Sequence, residues 1–271
     1  MSKQLSNNAR IKSILNTANI GILPQGVTEF KLSALHIQQT IDYNPQSKLR
    51  LGKEIEKVVS ALIKASSNYK IVAENSQIMD GKTTIGELDF IVEDCVNQST
   101  FHLELGYKFY VYDPNVSQNE VEKWIGPNRK DSLIEKLTKL ENKQFPLLKN
   151  PMTQTQLTDF DCQKMPQQLC FLAHLFVPFS MLNAQFEYIN TSAIAGYWVN
   201  FDDFIKIQTT NNLFYLPQKS EWGIHPQYNE TWQSKTEIID ELKPILNRQF
   251  SPLCWVKTPE GIFKQCFIVW W

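Results

Sequence analysis

Residues 84–112 read TIGELDFIVEDCVNQSTFHLELGYKFYVY, and two alternations either side of one polar connection decide how this stretch folds. In the first half Leu88, Phe90 and Val92 alternate with Glu87, Asp89 and Ile91. In the second, Leu103, Leu105, Tyr107 and Phe109 alternate with His102, Glu104, Gly106 and Lys108. A period of two sends successive side chains to opposite faces of a strand. Two antiparallel strands joined through Asn97 are therefore expected. Centring the hairpin between Val96 and Asn97 pairs Ile91 with His102, Asp89 with Glu104 and Glu87 with Gly106. In that register Asp89 and Glu104 face each other, with Glu87 diagonal to Glu104, and a slip of one residue would part them.

Like charges opposed across a ladder repel unless something compensates them. A divalent cation is the simplest compensation, because Mg²⁺ takes one or two carboxylates and keeps several waters for a phosphate substrate. Such an ion polarises a phosphoryl oxygen and activates water, so phosphodiester hydrolysis is the reaction class it points to. The same alternation also describes the solvated face of an exposed hairpin.

Working outward, Leu51, Ile55, Val58, Val59, Leu62 and Ile63 form one helical stripe, the mark of a helix docked on a sheet. Ser66, Ser67 and Asn68 end it. YKIVAENSQI, residues 69–78, reads as a strand, and Asp80-Gly81 as a turn. Ahead of these, one amphipathic piece, Ala9 to Leu15, precedes an irregular lead-in broken by Gly21, Pro24, Gly26 and Pro45. Asp131 to Leu148 reads as a second amphipathic helix, with Leu133, Leu137 and Leu140 on one face and Gln144 continuing it. Asp131 or Ser132 is its candidate cap.

Beyond Asn150-Pro151 a Gln/Thr-rich stretch reads as a linker or surface loop. Aromatic-rich runs follow (LCFLAHLFVPF, AGYWVNF, LFYLP, LCWVKT, FKQCFIVWW), separated by Pro, Gly and Asn, and they read as strands. The last two make a hairpin around Pro259-Glu260-Gly261. The expected fold is α/β (α+β), with a core over residues 1–150 and an α+β region over 151–271.

With 271 residues, 42% hydrophobic and 20% charged, the composition is that of an ordinary globular protein. No window carries the roughly 18 uncharged apolar residues of a membrane span, and the N-terminus lacks a leader's apolar core, so a cytoplasmic protein is expected. Five cysteines without a CxxC pair point to neither a disulfide framework nor a zinc site. At a net charge of −1, any nucleic-acid site must be a local basic patch.

The order of acidic helix, strand, Asp-bearing strand, Glu-bearing strand and second helix resembles the PD-(D/E)XK, or restriction-endonuclease-like, superfamily. LGKEIEKVV (51–59), TIGELDF (84–90), HLELGYKFYVY (102–112) and IGPNRKDSLIEKLTKL (125–140) are closer still to the domain of unknown function 1853 family, itself placed near that superfamily. The resemblance implies a core of mixed sheet flanked by helices and a nuclease acting on DNA or RNA with Mg²⁺ or Mn²⁺. Asp89 would be the bridging metal ligand, Glu104 the acid of the (D/E)XK element, and Glu56 the first-helix glutamate, with Glu54 as its competitor. The Leu105 carbonyl would be a further ligand.

The lysine departs from the pattern. Its usual place, two positions after the acid, is Gly106, and Lys108 stands four positions on, about 13 Å along a regular strand. A bulge at Gly106 would bring Lys108 in as the catalytic lysine, or Lys136 or Lys143 of the second helix would supply the charge. Failing both, the core would bind or scaffold nucleic acid without cutting it. A third possibility, of another class, is a small-molecule pocket in the aromatic C-terminal half. His102 and His174 are expected to be structural, and Arg129 and Lys130 precede a helix start, where a phosphate can bind.

Overall fold

The computed structural model describes residues 2–44, 49–207 and 211–271, so Pro45 lies outside the described residues. The fold is mixed α/β. Its strands are β1 (Thr28–Glu29), β2 (Tyr69–Asp80), β3 (Thr83–Asp94), β4 (Ser99–Tyr112), β5 (Trp124–Ile125), β6 (Gln167–Pro178), β7 (Ile194–Asn200), β8 (Leu213–Tyr215), β9 (Leu253–Lys257) and β10 (Phe263–Val269). Its helices are α1 (Ser2–Leu15), α2 (Leu51–Lys64), α3 (Leu133–Lys139), α4 (Phe145–Leu148), α5 (Pro151–Gln156), α6 (Phe201–Lys206) and α7 (Lys235–Leu246). No helix among the described residues is long and apolar enough to cross a membrane.

The chain forms two compact units. A central unit comprises Asn19–Tyr107 and Glu135–Leu172; a terminal unit comprises the residues up to Ala18, Lys108–Ile134 and Ala173–Trp271. The units are built from interleaved segments. β4 and β6 each supply residues to both.

In the central unit β2 pairs antiparallel with β3 and β3 with β4, placing Ile91 opposite His102 as a symmetric hairpin requires. Gly81, at φ +58°, makes the β2–β3 turn. Ile55, Val58, Val59, Leu62 and Ile63 of α2 are buried, so the predicted stripe faces inward. Ile78, Leu88 and Ile91 pack with Leu147, Leu148, Cys162 and Met165 into one apolar cluster. β4 is buried on both faces from Phe101 to Gly106, and His102 and Glu104 have no exposure. The solvated-hairpin alternative is therefore overturned for this segment.

The second predicted helix is helical but not uniformly α. Between α3 and α4 the residues Leu140–Gln144 form a π-helical turn. Pro146, two residues on, has no N–H for residue 142, and its ring would crowd that carbonyl in a regular α-helix. A wider turn relieves both problems.

Two expectations beyond residue 150 need correcting. Residues 151–156, expected as a linker or loop, are helix α5: the Asn150 side chain accepts from the Met152 N–H, and Pro151 starts the helix, where its missing N–H costs nothing. α7 also went unrecognised among the aromatic runs, although Ser234 and Glu237 form the capping box that announces a helix. The terminal unit otherwise follows the strand reading. β7 pairs parallel with β10, β10 antiparallel with β9 in the expected final hairpin, and β9 antiparallel with β8. Cys162, Cys170, Cys254 and Cys266 are buried and unbridged; Cys95 is exposed.

Candidate functional site

The paired ladder of β3 and β4 runs from Asp94 opposite Ser99 to Phe90 opposite Leu103 and stops there. Asp89 and Glu104 are the next residues along, at the point where the two strands cease to pair. Asp89 bridges the gap with its side chain, its Oδ2 accepting from the Leu105 N–H at 2.9 Å. The carboxylate thus takes a donor that an unbroken ladder would have given to a carbonyl.

Burial raises the pKa of Asp89 to about 8, and the neighbouring Glu104 and, more weakly, Glu56 push the same way. The Leu105 N–H and the Lys136 ammonium pull it down and do not prevail. Near neutral pH Asp89 therefore keeps its proton and is ionised only above about 8.

Glu104 is held from two sides. Its Oε1 lies 3.0 Å from His102 Nε2, and its Oε2 accepts from Gln144 Nε2 at 2.6 Å. His102 Nδ1 lies 3.3 Å from Gln167 Nε2, so the tautomer with its proton on Nε2 satisfies both contacts. The structural role expected of His102 is the one this geometry gives it.

Behind Gln144 stands Lys136, whose Nζ donates to Gln144 Oε1 at 2.8 Å. At about 100° per residue, positions eight apart on an α-helix end up about 80° out of line. The π turn between them supplies the missing width, so that Lys136, Gln144 and Glu104 form one chain of contacts. Lys136 was one of two second-helix lysines expected to stand in for the displaced one; the other, Lys143, is exposed.

Glu56, on α2, lies 2.7 Å from Lys53 Nζ, which also meets Glu87 Oε1 at 2.7 Å and reaches Asn75 Oδ1 at 3.4 Å. Partial burial works against the Lys53 charge, but Glu56 and Glu87 outweigh it and raise its pKa. These groups line a groove of about 580 Å³ together with Tyr43, Lys57 and Glu74. Glu54, the competitor of Glu56, accepts from the Tyr43 hydroxyl at 3.0 Å. Sequence reasoning missed Lys53, although its i, i+3 spacing from Glu56 on a helix was the available signal.

Lys108 belongs to the terminal unit, where its Nζ donates to Asp131 Oδ2 at 2.7 Å. At Gly106 no lysine can stand, because a Cβ there would lie 2.6 Å from Cδ2 of the Phe171 ring. Arg129, the other sequence candidate, pairs with Asp113 Oδ2 at 2.5 Å and lies 3.9 Å over the Trp271 ring. His174 is buried and stacks on Phe109, with centroids 4.6 Å apart.

Among the described residues no group of three or more His, Cys, Asp or Glu side chains is arranged to hold a metal ion. Mg²⁺ is held by one or two carboxylates and keeps its remaining waters, so it needs no all-protein cage. Of the Asp89–Glu104 pair, both Glu104 oxygens already have protein partners and Oδ2 of Asp89 has the Leu105 N–H.

No curated protein and no solved structure matches the chain. One family does, over nearly the whole length: residues 6–269 match the model described as domain of unknown function (DUF1853), and the chain belongs to that family.

Proposed function

We propose that the chain is a phosphodiesterase acting on DNA or RNA, with Asp89 and Glu104 as the carboxylates that hold Mg²⁺ or Mn²⁺. The observation that carries this reading is the carboxyl pair at the end of the β3–β4 ladder, with Asp89 raised to about 8 by burial and by Glu104. A bound cation would supply Lewis-acid polarisation of the phosphate and a water of lowered pKa. The chain's own groups do the rest. Gln144 and His102 fix both oxygens of Glu104, so its orientation is set before any ligand arrives. The Leu105 N–H fixes Oδ2 of Asp89, leaving Oδ1 for a cation, whose binding would displace the proton that burial and Glu104 otherwise keep on this carboxyl up to about pH 8. Lys136 brings positive charge to the site through Gln144 and favours the ionised form of Asp89.

One observation favours a second reading, in which the fold binds nucleic acid without turnover. Glu104 is fully buried with both oxygens hydrogen-bonded, and Phe171 closes the position where the nuclease pattern has its lysine. The two readings separate in one experiment. Wild type and Asp89→Asn are incubated with single-stranded DNA, duplex DNA and RNA, with Mg²⁺, with Mn²⁺ and with chelator. Metal-dependent cleavage by the wild type, reduced at least a hundredfold in the variant, is the expected result. Retention of the same substrates on a filter without cleavage would instead establish the binding reading.

A further inference from the structure

The terminal unit contains a cavity of about 390 Å³, within the range of small-molecule sites. It exists because small residues stand where a core would place large ones: Ala18, Ala173, Ala193, Ala195 and Gly223 all line it. What projects among them is polar yet uncharged. Asn16, Gln227 and Gln265 supply amides, Ser13 and Ser192 supply hydroxyls, and His174 and His225 supply imidazoles. No Asp, Glu, Lys or Arg lines the cavity among the described residues. Phe263 and Tyr228 add aromatic surface, and the Phe263 ring lies 6.1 Å from that of His225 and 5.9 Å from that of Trp232.

Two details mark this lining as aimed at a ligand rather than at itself. Gln265 lines the cavity, and its buried Oε1 has no hydrogen-bond partner among the described residues, a costly state for an acceptor that turning the amide toward the cavity would relieve. The wall beside His225 is braced independently of any ligand: its N–H donates to Ser13 Oγ at 2.9 Å, and its Nδ1 accepts from the Gln227 N–H at 3.2 Å. The ring proton then sits on Nε2, leaving a donor unused by these contacts. Burial lowers the pKa of both histidines, His174 to about 3 with help from Arg10, so both rings are neutral near pH 7.

We infer that this cavity is a binding site for a free nucleobase or nucleoside, recognised by the amides of Gln265, Gln227 and Asn16 and by the aromatic face of Phe263. With no charged residue in the lining itself, the cavity favours an uncharged ligand, since a charged one would lose its hydration without a direct counter-ion. Amide side chains match the adjacent donor and acceptor edges of a base, and aromatic rings take its flat face. The inference does not rest on the carboxylate site, which lies in the other unit.

The test titrates the intact chain with the four ribonucleosides and their free bases, using adenosine monophosphate as charged comparator and glucose as an uncharged, non-aromatic one. Calorimetry and thermal unfolding read the result. At least one base or nucleoside is expected to bind saturably and raise the unfolding temperature, the monophosphate at least tenfold more weakly, and glucose not at all. Gln265→Leu should weaken binding at least tenfold without lowering the stability of the free protein, since it deletes an unpartnered acceptor; a merely structural glutamine would lower it. Ala195→Leu should fill the space and abolish binding, and if it fails to fold, Gln265→Leu decides alone. Absence of binding at millimolar concentrations, tighter binding of the monophosphate, equal binding of glucose, or unchanged affinity in Gln265→Leu would each overturn the proposal.

Discussion

The carboxylate site of the central unit and the cavity of the terminal unit bury polar groups in opposite ways. At the first, two acids lie together, and burial and the nearness of Glu104 keep the proton on Asp89 up to a pH of about 8. At the second, amides, hydroxyls and neutral imidazoles gather without any formal charge. Burying a charge costs far more than burying a neutral dipole, so the first site answers its burial by keeping a proton, while the second has only neutral groups whose need is for matching hydrogen bonds.

The sharpest way to break that contrast is Glu104→Ala. It removes a buried acceptor from both His102 and Gln144, and a loss on the order of 4 kcal/mol is expected in urea unfolding. A loss no larger than that of Gln265→Leu would erase the distinction between the two regions.

A somewhat smaller effect of opposite sign is expected from Asp89→Asn. The folded-state pKa of Asp89 is raised to about 8, so the folded protein holds that proton more tightly than the unfolded chain does. The resulting stabilisation is fully present below the unfolded value of about 4 and is lost as the pH rises through 8. Asparagine keeps an acceptor for the Leu105 N–H and removes the titration. It should stabilise the protein by about 3 kcal/mol at pH 8, less than the whole shift implies because the buried amide also forgoes hydration, with the gain fading towards pH 4. Thermal unfolding across that range checks it, and a pH-independent difference would show that Asp89 does not titrate as described.

The smallest expected effect belongs to Lys136→Met, which deletes a cation that lowers the pKa of Asp89. Asp89 should titrate still higher, with stability changed by less than about 1 kcal/mol, followed by the carboxyl carbon resonance of Asp89 against pH. An unmoved titration would remove Lys136 from the site.

Much of the central unit was legible because its signals are local. Equal distances from the midpoint between Val96 and Asn97 set the hairpin register, and the Leu51–Ile63 stripe set the inner face of α2, whereas Gln144 was read only as continuing an apolar face and not as the partner of Glu104. The burial of His102 and Glu104 was not legible, since it depends on β6, more than sixty residues away in the chain, and on the segment around Phe145. Nor was the fate of Lys108, which Asp131 takes up 23 residues later. The caps of α5 and α7 were readable and were obscured by the Gln/Thr and aromatic content around them.

The wide turn at Leu140–Gln144 makes the spacing of this helix matter more than its composition. Replacing that turn by a regular α turn of the same length would carry Gln144 about 80° round from Lys136, so that it would face away from both Lys136 and Glu104 even with every side chain intact. Removing one residue at the same time would leave the two positions seven apart, at about 700°, and so nearly in line again. Width and length of the turn can therefore change only together.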